Sequence, residues 1–482
     1  MGARTGKEYV ERLAATRPSV HVNGEEVTDN IPDHPAFRNV VRTYAELFDM
    51  QHDERYRDKL TYTSPITGDR VGTSFLVPKT ADDLVRRRTM MKTWADHSLG
   101  TLGRTGDYLN SALMALSTAG QWFAQADYRF AENIRSYYEM VREQDLLTTH
   151  TLIPPQANRA TGGGQQLGGK LTARVVSEDD NGIVVEGARM LATIGPTADE
   201  LLVFPSTVLR GTPEDAPYSF AFAIPCDAPG LRFICRESFD YGGTHFDHPL
   251  STRFEEMDAV VVFDKVHVPY ERVFMLGHPE LCNNFYTDTS AVVHMTHQVV
   301  TRTTAKTEFV LGLLTAMTEA IGIDKFSHIQ ENVAEVIVAL EVLRGLLRAS
   351  EADASVNSFG VMTPKWEPLN AARNYYPKLY QRFPEIIRKF GASGLMSLPT
   401  EADVNGTAAS DIARYLQSAA LDGPERVRLF RLAWDLAVSA FGGRQALYEY
   451  YFFGDPVRMA GALVGSYDRQ PYVDRVHEFL HR

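Results

Sequence analysis

Strand-forming and helix-forming residues occupy separate blocks of this chain, and that segregation limits the folds open to it more than any other feature. From Gly162 a Gly-rich loop leads into a strand at 171–177, and Asp179-Asp180-Asn181-Gly182 reads as a hairpin turn before Ile183-Val184-Val185. Further strands are expected at 201–204, 220–224, 231–235 and 260–263, each bounded by Pro, Gly or Asp. Ahead of this block, 9–16 and 36–50 have helical apolar spacing, and Pro78-Lys79-Thr80-Ala81-Asp82-Asp83-Leu84 is a capped start to a helix running toward Ser98. After Pro269 long helices return, at 290–321, 332–348, 384–390, 423–440 and 444–452. Helices, then strands, then helices point to an α+β chain rather than alternating βαβ units. The expected units are an N-terminal helical domain over 1–150, a middle antiparallel β domain over 151–275, and a C-terminal helical bundle with the oligomer contacts over 276–482.

The candidate chemistry lies where the first helical block meets the strands. Thr105 and Asp107 are helix-opening residues, so Arg104 and Tyr108, four apart, share one face at a helix entrance. A helical run through Tyr137, Tyr138 and Met140 ends near Leu147, and Pro154-Pro155 bars further helix, which leaves His150 on a turn at a helix exit. A permanent cation, a phenol and an imidazole suit a site that holds a phenolic oxygen and shifts its proton. By spacing alone, however, Arg104 and Tyr108 read as a solvated arginine at a helix start and a tyrosine on a core rim.

Charge and targeting signals narrow the classes. A net charge of −12 argues against nonspecific binding to nucleic acid or anionic membrane. The N-terminus has no apolar signal-peptide core, and the most apolar helical stretch, 309–323, is too short for a membrane span and carries Glu319. Cys226, Cys235 and Cys282, odd in number and in apolar surroundings, read as buried thiols of a cytoplasmic protein.

Three patterns are decoys. Gly164-Gln-Gln-Leu-Gly-Gly169-Lys170 nearly copies a phosphate-binding loop, yet Leu171 stands where Ser or Thr should hold magnesium. His294 and His297 lack a third metal ligand at a suitable spacing and sit in a run typical of packed helix, so no metal is expected. The acidic run Glu255-Glu256-Met257-Asp258 reads as a solvated face between strands. No Gly-x-Gly-x-x-Gly follows a strand, so a Rossmann-type site is not supported.

The motifs around Arg104 and His150, with Gly-Ala-Arg-Met-Leu-Ala-Thr from Gly187, Phe-Asp-His-Pro-Leu-Ser from Phe246 and Phe-Gly-Asp-Pro-Val-Arg from Phe453, resemble the oxygenase family of the two-component 4-hydroxyphenylacetate 3-monooxygenases. The resemblance spans nearly the whole chain and reverses the bland reading of Arg104 and Tyr108. It implies an acyl-CoA-dehydrogenase-like fold and ortho-hydroxylation of a small phenolic acid to a catechol with O2, through a flavin C4a-hydroperoxide. FAD would arrive reduced from a separate NAD(P)H:flavin reductase, and a homodimer or homotetramer is implied.

By the same likeness, Arg104, Tyr108 and His150 bind and activate the phenolic end, and Ser206 and Thr207 hold the substrate carboxylate. His150, Thr151, Leu152, Gln156, Ala157, Asn158 and Arg159 contact the flavin, Thr193 bonds near its reactive end, and Gly454, Asp455, Pro456 and Val457 lie on it. Phe-Gly-Gly-Arg-Gln at 441–445 is a second candidate for the adenine end, and 209–217 is the expected lid. Coumarate, tyrosine, an aminobenzoate or a halophenol are alternative substrates. Outside the resemblance, the same layout would serve an acyl-CoA dehydrogenase, although no glutamate stands out as its base.

Overall fold

The computed structural model describes residues 2–27, 30–158, 163–205, 209 and 211–482. Twelve strands carry the part of the architecture that matters for the site: β1 (Ser19–Val22), β2 (Glu25–Glu26), β3 (Thr61–Thr63), β4 (Arg70–Gly72), β5 (Thr148–Thr151), β6 (Arg174–Glu178), β7 (Gly182–Thr193), β8 (Glu200–Val203), β9 (Phe220–Pro225), β10 (Leu231–Cys235), β11 (Asp258–Pro269) and β12 (Val273–Leu276). One sheet has the order β2-β1-β10-β11-β7-β6 and another β12-β9-β8-β5, while β3 and β4 form a separate pair. The two larger sheets meet through side chains of β9: Phe220 lies under Arg189 of β7, and Phe222 meets Phe263 of β11 edge-on. The α+β class is the one expected, and the hairpin turn at 179–182 joins β6 to β7 as its sequence indicated.

The middle block is not wholly antiparallel. β1 pairs parallel with β10, and β5 pairs parallel with β8. Both parallel strands come from the first third of the chain, so that third is not purely helical. Long intervening helices and strands make parallel pairing possible, since it needs a crossover rather than a tight turn. Strands β1, β5 and β12, each four residues long, are not among those expected from the sequence.

Helices obey their local signals closely. Thr80 caps Ala81–His97 through a reciprocal bond pair with Asp83. The helix Gly106–Thr118 is buried from Gly106 to Leu116, and it crosses Ala291–Ala320, itself buried along most of its length. The helix expected to begin at Pro384 instead runs Trp366–Gly391 with Pro377 and Pro384 inside. Each proline removes a backbone donor, yet Leu369, Tyr376, Tyr380, Phe383, Ile387 and Phe390 form a continuous buried face that outweighs the loss. No described helix is long and apolar enough to cross a membrane.

Candidate active site

The site starts from a glycine and a carboxylate. The N–H groups of Gly103 and Arg104 both donate to Glu256, each at 2.8 Å, which fixes the chain as it enters the helix Gly106–Thr118. Position 103 tolerates no side chain, because a methyl there would overlap the Tyr448 ring. Alanine at Gly103 is expected to push Tyr448 out of place, to cost about 1–3 kcal/mol of stability by overpacking, and to lower turnover. Thermal unfolding and steady-state assays check this, and a variant matching the parent in both would show that the contact relaxes freely.

Arg104, so held, is buried and lies among three rings, with its guanidinium carbon 4.7 Å from the centroid of Tyr108, 4.5 Å from Phe452 and 5.3 Å from Tyr448. The only acceptor its guanidinium reaches among the described residues is the Gly103 carbonyl, at 3.2 Å. Aromatic faces attract the cation without consuming its hydrogen-bond donors, which stay available for an incoming oxygen. Tyr108 in turn meets His150 edge-on at 5.9 Å between ring centroids and Phe452 at 5.5 Å. Burial raises the Tyr108 pKa against the pull of Arg104, Arg302 and Arg373, so it remains a neutral phenol able to donate.

His150 is not on a turn at a helix exit. The helix Tyr128–Gln144 stops at Asp145, which takes a left-handed backbone, and His150 sits within β5, paired opposite Leu202. The run Thr148-Thr149-His150-Thr151 has the β-branched character that a strand favours, and its partner is supplied from 52 residues along. Burial, and then the charge of Arg104, hold the His150 pKa well below the usual histidine value. The imidazole is therefore neutral at neutral pH, and its Nδ1 is buried without a partner.

The remaining expected residues divide. Leu152 accepts from Arg189 through its carbonyl, and Thr151 donates to the Met190 carbonyl. Gln156, Ala157 and Asn158 are exposed, and Asn158 accepts from Gln166 through its carbonyl. Arg159, Ser206 and Thr207 lie outside the described residues. Of the expected lid, Leu209 is fastened to Asn283 by two hydrogen bonds. The Thr193 hydroxyl donates to Asp258 at 2.8 Å and keeps lone pairs for an acceptor role. Gly454 has φ +101°, Asp455 caps the helix Pro456–Ser466 through the Val457 N–H, and this corner follows Phe452 and Phe453 directly.

In the 441–445 stretch, the side chains of Arg444 and Gln445 already have partners: Arg444 clasps Asp258 with two bonds at 2.9 Å and contacts Glu256, while Gln445 binds Lys306 and the Thr101 carbonyl. One expectation is overturned: the acidic run at 255–258 is not a solvated face. Glu255 and Glu256 are buried, and Arg236, Arg444 and Tyr44 converge on the cluster from distant parts of the chain. Burial alone would raise Asp258, but the charge and bonds of Arg444 with the charge of Arg236 hold it below the ordinary carboxylate range. This cluster ties the Arg104 backbone to the Thr193 hydroxyl through a single arginine.

Sequence reasoning also missed Tyr448 and Phe452 as walls of the site, although the aromatic run 448–453 was a visible signal. Beneath Phe452 lies a fully buried charge group in which Arg302 donates twice to Glu449, at 2.6 and 2.9 Å, and Lys306 donates to it at 2.7 Å. His294 and His297 are buried core histidines, His294 against Arg87 and His297 against Glu351. The described residues hold no group of three or more metal-ligating side chains.

Comparison with known proteins adds a family. Residues 5–275 match the family described as 4-hydroxyphenylacetate 3-hydroxylase N terminal, and residues 282–481 match 4-hydroxyphenylacetate 3-hydroxylase C terminal. The 4-hydroxyphenylacetate 3-monooxygenase oxygenase component of Geobacillus sp. (strain PA-9) is 50% identical over 481 residues, covering 100% of this chain and 97% of its own length. A monooxygenase of Streptomyces globisporus that acts on (3S)-3-amino-3-(3-chloro-4-hydroxyphenyl)propanoyl-[peptidyl-carrier protein SgcC2] is 31% identical, over 94% of this chain and 85% of its own. A crystal structure of an oxygenase component complexed with FAD and 4-hydroxyphenylacetate superimposes with a TM-score of 0.95 at 50% identity, over 99% of this chain and 98% of that one.

Proposed function

The chain belongs to the 4-hydroxyphenylacetate 3-hydroxylase family, and on that premise we propose that Arg104, Tyr108 and His150 bind and activate the phenolic oxygen of its substrate. The protein is the oxygenase component of a two-component flavin-dependent monooxygenase that hydroxylates a small phenolic acid of the 4-hydroxyphenylacetate type, with FAD as cofactor. Its partner is a separate reductase.

The residues present fit a flavin. His150 Nδ1 and Arg373 Nε are buried without partners, and the Arg373 guanidinium lies over Trp366 and Phe453 at 5.0 and 5.1 Å, beside the Gly454 corner. Thr193 and the 150–158 segment would hold the ring, and the 454–457 corner would hold its other end. Bound reduced FAD, with O2, supplies the electrophilic oxygen. The side chains of this protein must make the ring carbon beside the phenol hydroxyl electron-rich, which they do by favouring phenolate. Arg104 stabilises the developing oxygen charge, Tyr108 donates a hydrogen bond to it, and neutral His150 takes the proton. The observation that carries this reading is one cluster in which a guanidinium with free donors, a neutral phenol and a neutral imidazole with an orphaned nitrogen share a buried wall.

The test is to mix the purified chain with chemically reduced FAD, air and a panel of phenols and to look for catechols. Product from 4-hydroxyphenylacetate is expected, and none from any phenol would remove the assignment. We propose further that the chain works in the cytoplasm as a homodimer or homotetramer. The helix Gln470–Leu480 has no buried residue and exposes Tyr472, Val473, Val476, Phe479 and Leu480, an apolar stripe that a second subunit would cover.

A further inference from the structure

Arg444, on the helix Ala440–Tyr451, is buried where three sets of contacts meet. Its guanidinium clasps Asp258 with two bonds at 2.9 Å, reaches Glu256 at 3.4 Å with its third nitrogen, and lies 4.2 Å from the centroid of the Tyr448 ring. Every nitrogen of the fork therefore faces a carboxylate, an arrangement that a planar guanidinium makes and an ammonium does not.

Glu256 leads from there to Arg104. It accepts from the N–H groups of Gly103 and Arg104, at 2.8 Å each, and from the Tyr44 hydroxyl at 3.1 Å, so a shift of this carboxylate moves the backbone that carries the Arg104 side chain. Tyr448 makes a second path to the same residue, because the ring under Arg444 also lies 5.3 Å from the Arg104 guanidinium carbon.

Asp258 leads the other way, to Thr193. The Thr193 hydroxyl donates to it at 2.8 Å, and the two residues stand opposite each other across β7 and β11. The backbone around Thr193 is strained: Leu191 at φ +68° and Ile194 at φ +60° are both left-handed, which is costly for side chains of this size. A β-bulge sets Met190 and Leu191 against Val260 alone, and bulges re-aim the side chains beside them. The Ile194 N–H donates to the Met257 carbonyl at 2.7 Å and the Thr149 hydroxyl to the Thr193 carbonyl at 2.5 Å. So unfavourable a conformation persists only while its contacts hold it, and Asp258, in the grip of Arg444, holds the hydroxyl.

We propose that Arg444 is a positioning residue that fixes the Thr193 hydroxyl and the Arg104 guanidinium relative to each other, and so aligns the flavin with the phenol. The proposal rests on the hydroxylase reading above, in which Thr193 meets the flavin and Arg104 the phenol. Arg444 touches neither ligand; it acts through Asp258 on one side and through Glu256 and Tyr448 on the other. With the phenol aligned, reduced FAD and O2 place one oxygen atom on the ring and release the other as water. With it misaligned, the same two electrons reduce O2 to hydrogen peroxide and leave the phenol unchanged.

Equilibrium binding to the full chain without O2, followed by product analysis in air, tests this. Arg444→Lys, which keeps the charge and loses the fork, weakens reduced FAD and 4-hydroxyphenylacetate by about 3- to 30-fold each. In a Thr193→Val background the same change weakens FAD by less than about twofold, and in an Arg104→Met background it weakens the phenol by less than about twofold, because the group it positions is already gone. In air the catechol formed per O2 consumed falls at least about threefold in Arg444→Lys, with peroxide making up the difference. Losses that persist undiminished in those backgrounds would put Arg444 on the ligands themselves or mark it as structural only, and overturn the proposal. A loss confined to one ligand would overturn the link between the two sites, as would binding and catechol yield equal to the parent's. Should Arg444→Lys fail to fold, Asp258→Asn decides the matter, since it weakens the distant phenol only if Arg444 carries its effect to Arg104. The predicted binding pattern in a protein that yields no catechol from any phenol leaves the positioning role standing and overturns the hydroxylase reading instead.

Discussion

Replacing His150 with alanine lowers catechol formation by about 10²- to 10⁴-fold, the usual contribution of a positioned proton acceptor, while FAD binding persists. A phenol near pKa ~10 and an imidazole near ~6.5 differ by about 3.5 units, or roughly 5 kcal/mol, so a free histidine is a poor base for it. The structure sharpens the problem, because burial and Arg104 hold His150 well below its usual value. In the proposed mechanism Arg104 therefore acts in two directions, favouring phenolate and disfavouring imidazolium.

The conflict resolves only if the proton moves while substrate oxygen lies against the ring, so that the new positive and negative charges form a pair in a dry site. The pH profile carries the signature. A group with a lowered pKa stays a competent base to lower pH, so the acid limb of kcat/KM falls below the ordinary histidine range near ~6.5. For stability the sign is the same: unfolded imidazole protonates first, so the His150 contribution declines as pH drops below about 6.5 toward the folded value. Turnover unchanged in His150→Ala would remove this residue from the mechanism.

Replacing Glu449 with alanine is expected to destabilise the protein by about 3–5 kcal/mol, as the loss of one partner leaves buried charge uncompensated. Arg302 and Lys306 are both fully buried, and Glu449 is the carboxylate they share. Burial would raise Glu449, but Arg302 and Lys306 bring it down to about 2. A depressed carboxylate stabilises the fold above its unfolded pKa, and that contribution is lost as pH falls from about 4.3 toward the folded value. Desolvation lowers Lys306 to about 8, so on the alkaline side the cost of keeping it charged disappears as it deprotonates. Because Arg302 lies 5.3 Å under Phe452, and Phe452 lies 4.5 Å from Arg104, the variant should also loosen the aromatic wall around Arg104. Denaturant unfolding measures the effect, and a shift under about 1 kcal/mol would show that water or a rearranged partner replaces the carboxylate.

What could be read from the residues alone follows the range of the forces involved. The Thr80–Asp83 cap, the Asp179–Gly182 turn and the Arg104–Tyr108 spacing are settled by groups within four positions of one another, so the chain determined them before it folded. The family motifs extended that reading to His150, although not to the strand that holds it. The tertiary structure decided the rest. It drew Glu256 from 152 residues away onto the Arg104 backbone, turned an acidic run that looked solvated into the hub beneath Arg444, and brought Tyr448 and Phe452 across to wall the site. A carboxylate looks the same in sequence whether water or two arginines solvate it, and only the packing of distant segments determines which of the two it meets.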